Sequence, residues 1–259
     1  MLLALDAGNT TVTAGCISDG EVIARAVFAT ARRSADEYAA LIAQSFALRG
    51  IDVHEFTGAV VACVVPQLAN VLRDTVKLLT GADALMVGAG VKTGLNIGID
   101  DPSQLGADLV ASSVGALDGR TPPIIIADLG TATTVIVIDA KSRLLGGAIL
   151  PGAAVSLDAL SGSASLLPSI PLEAPKRSIG TNTNDCMKSG AVFGTASAID
   201  GMIIRFEREL GIENAACIAT GVLASRIIPY CSHEIEIDED LAMKGLALIW
   251  ERNRRQRRY

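Results

Sequence analysis

The sequence predicts an α/β protein made of two similar halves. Three observations carry that expectation. An Asp-x-Gly triplet follows an apolar, strand-like run twice, at Asp6-Ala7-Gly8 and at Asp128-Leu129-Gly130, 122 residues apart. Each triplet is followed by threonines, a β-branched run, a short turn and a third extended run. A repeat at about half the chain length indicates two like domains rather than a solenoid. Half of the 259 residues are apolar, yet 25 glycines accompany only nine aromatic rings (one Trp, three Tyr, five Phe), a composition suited to close packing of helices on sheets. The expected halves are residues 1–117 and 118–259.

The elements follow in order. Leu2–Leu5 is apolar, Asp6–Thr10 breaks the run, and Thr11–Ile17 resumes with β-branched residues. Ser18-Asp19-Gly20 is a turn, and Glu21–Phe28 completes a meander. Ser34 with Glu37 three residues later is a capping-box pattern, opening a helix whose apolar stripe is Tyr38, Leu41, Ile42 and Phe46 and which Gly50 ends. Thr57–Val65 reads as a strand buried on both faces. Pro66 suits a first helical position, and Leu68, Val71, Leu72, Val76 and Leu79 recur at helical spacing. Ala84–Val87 is a short strand and Ser103–Leu117 a helix. At Pro122-Pro123 the pattern restarts: strands at Ile124–Ala127, Thr134–Ile138 and Arg143–Leu150. The stretch Gly146–Ser169, rich in Gly and Ser, predicts loose structure. A long helix spans Thr183–Leu210, a strand Ala216–Thr220, and a closing helix Leu241–Arg252.

Composition narrows the function. A net charge of -6 and scarce rings argue against a nucleic-acid surface, which is normally basic and offers stacking platforms. The one basic run, Arg252, Arg254, Arg255, Arg257 and Arg258, reads as a solvated tail or, less simply, as a dimer or anion contact. Five widely spaced cysteines without a CxxC pair, and only two histidines, give no zinc spacing and fit free thiols in a reducing cytoplasm. No basic leader precedes an apolar stretch, and no run of about 20 apolar residues is unbroken. A soluble, cytoplasmic protein without a membrane partner is expected.

An Asp-x-Gly-Asn/Thr-Thr tip between two strands suits phosphate. Gly8 and Gly130 let a bulky anion approach the main chain. Asn9, Thr10, Thr11, Thr131, Thr133 and Thr134 set hydroxyl and amide groups beside backbone N–H donors. Asp6 and Asp128 would be hard carboxylate ligands for a cation bridging those phosphates; the plainer alternative is a turn-stabilising Asx motif. One hairpin per half could grip a triphosphate from two sides. No GxxxxGK[ST] or GxGxxG sequence occurs, so this is not the P-loop or protein-kinase solution.

The paired arrangement resembles the actin, sugar kinase and Hsp70 ATPase superfamily. Further motifs resemble one member family, type III pantothenate kinase: Thr93-Gly94-Leu95, Asp101-Pro102, Gly106-Ala107-Asp108, Pro151-Gly152, Ile179-Gly180-x-x-Thr183, Ser189-Gly190, and Asp240-Leu241, Gly245-Leu246 and Glu251-Arg252-Asn253, in order over nearly the whole chain. The resemblance implies two ribonuclease-H-like domains with the active site in the cleft between them. It also implies a homodimer, Mg²⁺, and a monovalent cation, K⁺ or NH₄⁺. ATP and pantothenate would be the substrates, with 4′-phosphopantothenate the product.

Residue by residue, the resemblance makes Asp6, Ala7, Gly8, Asn9, Thr10, Thr11, Val12 and Thr13 the first phosphate loop, with Asp6 toward Mg²⁺ through the phosphates. Thr131 becomes an ATP contact and Asp128 the monovalent-cation ligand. Asp108 would be the catalytic base, where an isolated helical Asp is ordinarily a solvated face residue. Gly106, Ala107, Leu109 and Thr183 would lie on the pantothenate side, although Thr183 alone would equally read as a helix cap.

The chain departs from the family pattern at four positions. Leu109 stands where Arg follows Gly-Ala-Asp, Ile99 replaces a Tyr, Val222 replaces the second Gly of a late Thr-Gly-Gly, and Ile136 replaces an Asp. Leucine has neither charge nor donor, whereas Arg offers a fixed fork; Lys92 or Arg120 is a candidate substitute. A kinase for another hydroxyl acceptor, or an ATP-binding accessory protein of the same fold, are the alternative readings.

Overall fold

The computed structural model describes residues 1–254; Arg255, Arg257 and Arg258 of the basic run lie outside the described residues. The first meander is β1 (Leu2–Ala7), β2 (Thr11–Ser18) and β3 (Glu21–Ala29). It is followed by α1 (Ala35–Ala47), β4 (Gly58–Cys63), α2 (Pro66–Thr80), β5 (Leu85–Met86), β6 (Asn96–Ile97) and α3 (Ala107–Ala116). The second meander is β7 (Ile124–Leu129), β8 (Ala132–Ile138) and β9 (Arg143–Pro151). Then come α4 (Ala153–Ser163), α5 (Thr183–Leu210), β10 (Ala216–Thr220), α6 (Ala224–Ile227), β11 (Glu236–Ile237) and α7 (Leu241–Arg254).

The duplication is topological. One sheet runs β3-β2-β1-β4-β5 and the other β9-β8-β7-β10-β11, with β6 added beside β9. In each, the first two strands are antiparallel while β4 or β10 adds in parallel to β1 or β7. The strands that carry the Asp-x-Gly triplets even share a burial pattern. In both, four buried residues precede the partly exposed Asp and a buried residue follows it.

The first unit comprises Met1–Leu95, Asp100–Asp118 and the segment from Asp240 on; the second comprises Asn96–Ile99 and Gly119–Glu239. This differs from a single cut at 117/118. The closing helix α7 joins the first unit because its Met243, Leu246 and Ile249 pack with Leu2, Ala4 and Val60 of the first sheet and Val110 and Val114 of α3. The opposite face of that sheet, with Leu3, Leu5, Val12 and Val61, takes Tyr38, Ile42 and Phe46 of α1 and Leu68, Leu72 and Val76 of α2. Alternate residues of β1 thus feed two cores, as strand period 2 requires. In the second unit Ile125, Ala127, Leu129, Val135 and Val137 meet Val192, Ala196, Ile199 and Ile203 of α5.

Local chemistry explains the starts. Ser34 accepts from Glu37 N, and Glu37 Oε2 accepts from Ser34 N at 2.7 Å, closing the expected capping box. Ser34→Ala should lower stability by about 1 kcal/mol, read as a shift of the urea midpoint with unchanged slope; an unchanged midpoint would count against the box. The helix expected from Ser103 starts later. Asp101 caps a short 3-10 turn at Pro102–Gln104, accepting from Ser103 N at 3.0 Å, and Gly106 is the N-cap of α3. The stretch expected to be loose contains α4. At α5 the cap is Asn182, whose side chain accepts from Asp185 N, so Thr183 is the first helical residue rather than the cap.

Candidate active site

In the first unit the β1–β2 turn is closed by Gly8 N donating to Thr11 O at 2.9 Å, and Thr30 Oγ1 donates to Gly8 O at 2.7 Å. Asn9 and Thr10 are exposed at the tip. Asp6 faces Thr13 across the ladder and Ala7 faces Val12. By strand alternation Asp6, Thr11 and Thr13 share one face, with Ala7 and Val12 on the other. Ala7 and Val12 are fully buried, so their side chains belong to the core and only their main chain is available to a ligand.

Asp108 lies in the first turn of α3. Its Oδ1 accepts from Leu109 N at 2.7 Å. A Cβ on Gly106 would run into that same carboxylate oxygen, so the N-cap glycine makes room for it. The α3 N-terminus favours an anion electrostatically. Desolvation outweighs this: burial pushes the Asp108 carboxyl above its ordinary value, against the lowering effect of the Leu109 and Asp108 N–H groups. Val64 links this helix start to the phosphate turn. Its N–H donates to Ala7 O at 3.0 Å, and its Cγ1 would be 3.3 Å from a Gly106 Cβ. The Asp6–Thr13 hairpin and Asp108 therefore adjoin within one unit.

The second unit repeats the hairpin one residue tighter. Gly130 N donates to Ala132 O at 2.9 Å, and Asp128 faces Thr134. Thr131 is exposed at the tip while Thr133 is buried. Two glycines outside the hairpin complete this site, Gly152 of the Pro151-Gly152 motif and Gly221 of the Thr220-Gly221 pair, and their role is not readable from the local sequence. Gly221, at φ +93°, would set a Cβ 2.6 Å from both Asp128 Oδ1 and Leu129 O. It follows Thr220, which stands beside Asp128 in the sheet. Gly152 donates from its N to Thr131 O at 3.1 Å and leaves no room for a Cβ against the Gly130 and Thr131 carbonyls, so α4 begins directly on the second loop. Thr183 is exposed at the start of α5.

Of the two candidate substitutes for the missing Arg, Arg120 is engaged elsewhere. Arg120 donates from Nε and Nη2 to Glu236 at 3.1 and 2.6 Å and lies 3.4 Å from the buried Asp238. Lys92 is held by its main chain to Asn253. Leu109 itself is half-buried, and its contribution beside Asp108 is an N–H and apolar cover. All five cysteines are free. Burial pushes the Cys217 thiol up to about 11 and the Cys231 thiol to about 12, which leaves neither a nucleophile at neutral pH. Among the described residues no group of three His, Cys, Asp or Glu side chains could hold a metal ion by itself, and no helix is long and apolar enough to cross a membrane.

Two like-ordered sheets, each with an Asp-x-Gly hairpin at the ends of its first strands, define the actin-like ATPase and sugar kinase fold class. The chain superposes on a protein described as a Baf family transcriptional activator from Campylobacter jejuni with a TM-score of 0.63, at 17% identity over 98% of this chain and 99% of that one. It superposes on the ADPNP-bound activator of the 2-hydroxyisocaproyl-CoA dehydratase from Clostridium difficile with a TM-score of 0.58, at 11% identity over 100% of this chain and 97% of that one. At such identities the likeness speaks for the fold alone. The sequence matches the family model for type III pantothenate kinase over residues 2–205. It is 38% identical to the type III pantothenate kinase of Moorella thermoacetica across 98% of this chain and 100% of that one. The chain belongs to the type III pantothenate kinase family.

Proposed function

We infer that this chain transfers the γ-phosphoryl group of ATP to the primary hydroxyl of pantothenate, giving ADP and 4′-phosphopantothenate, the first step toward coenzyme A. The observation that carries the assignment of roles is Asp108. It is a carboxylate raised by burial, seated on a glycine N-cap and joined through Val64 to the first phosphate turn.

Asp108 takes the hydroxyl proton of pantothenate as that oxygen forms its bond to the γ-phosphorus and the bond to the β,γ-bridging oxygen breaks. The main-chain N–H groups and hydroxyls of Gly8–Thr13 hold phosphate oxygens from one loop, and those of Gly130 and Thr131 from the other. Most of the acceleration in such a transfer comes from positioning and charge stabilisation. Gly106 and Ala107 keep the base at the helix start, and Thr183 offers a hydroxyl to pantothenate.

The residues fit the ions this chemistry uses. The Asp6 carboxylate shares a face with the Thr11 and Thr13 hydroxyls, an all-oxygen set suited to Mg²⁺ bridged through phosphates. Space beside Asp128 is kept open by Gly221, whose Cβ would fill it, and suits a monovalent cation, K⁺ or NH₄⁺. When bound, these ions neutralise phosphate charge.

A homodimer is part of the same reading. The second unit carries an apolar cavity of about 550 Å³ bounded by Leu150, Leu157, Met187, Ala191 and Ile199, and Val155, Leu160 and Ile204 are exposed on the same helices. Sedimentation should give twice the monomer mass. A cytoplasmic setting agrees with the free thiols.

The test is ADP release that depends on pantothenate in the presence of Mg²⁺ and K⁺; no pantothenate-dependent release sinks the reading. The same assay reads the base. Asp108 acts ionised and its carboxyl is raised, so kcat/KM should fall on the acid side with an inflection above the usual carboxylate range near 3.8. That limb should disappear in Asp108→Asn.

A further inference from the structure

The motif Glu251-Arg252-Asn253 at the end of α7 has no part in the phosphate loops or the base, yet two of its side chains reach across the first unit to one segment. Asn253 reads the main chain of Lys92 at both of its polar groups: Oδ1 accepts the Lys92 N–H at 3.1 Å and Nδ2 donates to the Lys92 carbonyl at 3.0 Å. The remaining amide hydrogen goes to Ile249 O at 2.7 Å, which fixes the side chain on its own helix. Arg252 Nη1 donates to the next carbonyl, that of Thr93. The following residue is Gly94, at φ +72°, where a Cβ would lie 2.6 Å from that same guanidinium nitrogen. Three successive residues, Lys92, Thr93 and Gly94, are thus shaped to the end of α7. The partners are about 160 residues apart in sequence, so the bonds exist only when α7 is docked.

What this clasp holds is next to the base. Val91 and Leu95, at the two ends of the segment, pack into the same core as Leu105 and Ala107, which lead into α3, and as Val110, Ala111 and Val114 of α3 itself. Interiors are close-packed and transmit small shifts. Releasing Lys92–Gly94 would move the floor under the Leu105–Ala107 approach to Asp108, while the Asp6–Thr13 hairpin rests on a different core.

We propose that Asn253, assisted by Arg252, is a positioning residue for the acceptor substrate: it clasps Lys92–Gly94 so that the pantothenate side of Asp108 is built before substrate arrives. This rests on the kinase reading above. The two Asn253 bonds to Lys92 are neutral and partly exposed. Their loss should raise the pantothenate KM by about tenfold, while kcat and the ATP KM stay within about twofold.

The experiment is steady-state kinetics of Asn253→Ala, with both substrates varied, well below its Tm. Asn253→Asp keeps the acceptor for Lys92 N–H and loses the donor, so its pantothenate KM should fall between wild type and Asn253→Ala. A merely structural role would lower Tm and the active fraction, and would depress kcat with both KM values unchanged; that pattern overturns the proposal, as does an unchanged pantothenate KM in folded Asn253→Ala. Should Asn253→Ala not fold, Arg252→Ala decides, since Arg252 is exposed and adds one bond to the clasp, to Thr93 O: a raised pantothenate KM supports the clasp and an unchanged one overturns it. If wild-type protein releases no ADP with pantothenate, the kinase reading itself fails and the proposal with it.

Discussion

Asp108→Asn should reduce pantothenate-dependent ADP release by about 10²–10⁴-fold, the usual contribution of a positioned general base, without destabilising the protein. Both halves of that expectation follow from one geometry. Asn is isosteric, and its Oδ1 still accepts from Leu109 N, so the α3 start is preserved. What is lost is only the capacity to take a proton. The stability half follows from linkage. Burial raises the folded-state carboxyl above its unfolded value, so the fold prefers the protonated form. That preference contributes fully below the unfolded pKa near 3.8 and is lost as pH rises through the folded value. Where the base is ionised, that burial destabilises the native protein, and the neutral amide removes the burden. Thermal melting should place Asp108→Asn level with wild type or up to a few degrees above it at neutral pH, the gain vanishing in acid. A variant that melts well below wild type would mean that the carboxylate is a structural cap. Retained turnover would mean that another group is the base.

The sequence made the two hairpins legible because their signal is local. An apolar strand, an Asp, a glycine tip and a β-branched strand each announce themselves within a dozen residues, and the second copy confirms the first. The repeat extends further than the hairpins reveal, since β4 and β10 also take equivalent places beside β1 and β7. Asp108 could be singled out only by resemblance. The sequence points to a helix start near Ser103 because the Asp101 cap and the Pro102 turn imitate a helix entry, and the real N-cap, Gly106, has no side chain to announce it. The second loop's supports stand within motifs visible in the sequence, but their role is not legible there. Gly152 and Gly221 matter through close approaches to Thr131 and Asp128 that only the folded sheet creates. The helix α4 hides because its Ala/Leu run, residues 153–160, is short and set between glycines and serines that read as loop. The two-residue strands β6 and β11 owe their existence to the sheet edges they join. The basic run reads as a solvated tail, yet Arg252 is tied to Thr93 and Arg254 to Glu251.

Gly245→Ala should destabilise the first unit's base-bearing layer by about 1–3 kcal/mol or more, the range for forcing atoms into a packed interior. Helices α3 and α7 approach each other backbone to backbone. A Cβ on Gly245 would run into the Ala111 carbonyl and lie 3.0 Å from Gly115 N; a Cβ on Gly115 would run into the Leu241 carbonyl and lie 3.2 Å from Gly245 N. Neither obstacle is the end of a flexible side chain, so only a shift of one helix relieves the overlap. Neither helix is free to shift. Val110 and Val114 hold α3 to the sheet core, and Met243, Leu246 and Ile249 hold α7 to the same core. Gly115→Ala should therefore be about as damaging as Gly245→Ala. The double variant should cost much less than the sum, because one separation of the helices accommodates both methyls. Full additivity in chemical denaturation would show that the two glycines are not reading the same gap. Activity should fall with stability but also beyond it, since a displaced α3 carries Asp108 in its first turn, and catalytic geometry tolerates errors well below a methyl's width. Kinetics on the fraction that remains folded separates the two effects: a normal kcat per folded molecule would mean that α3 yields at its far end and leaves the base in place.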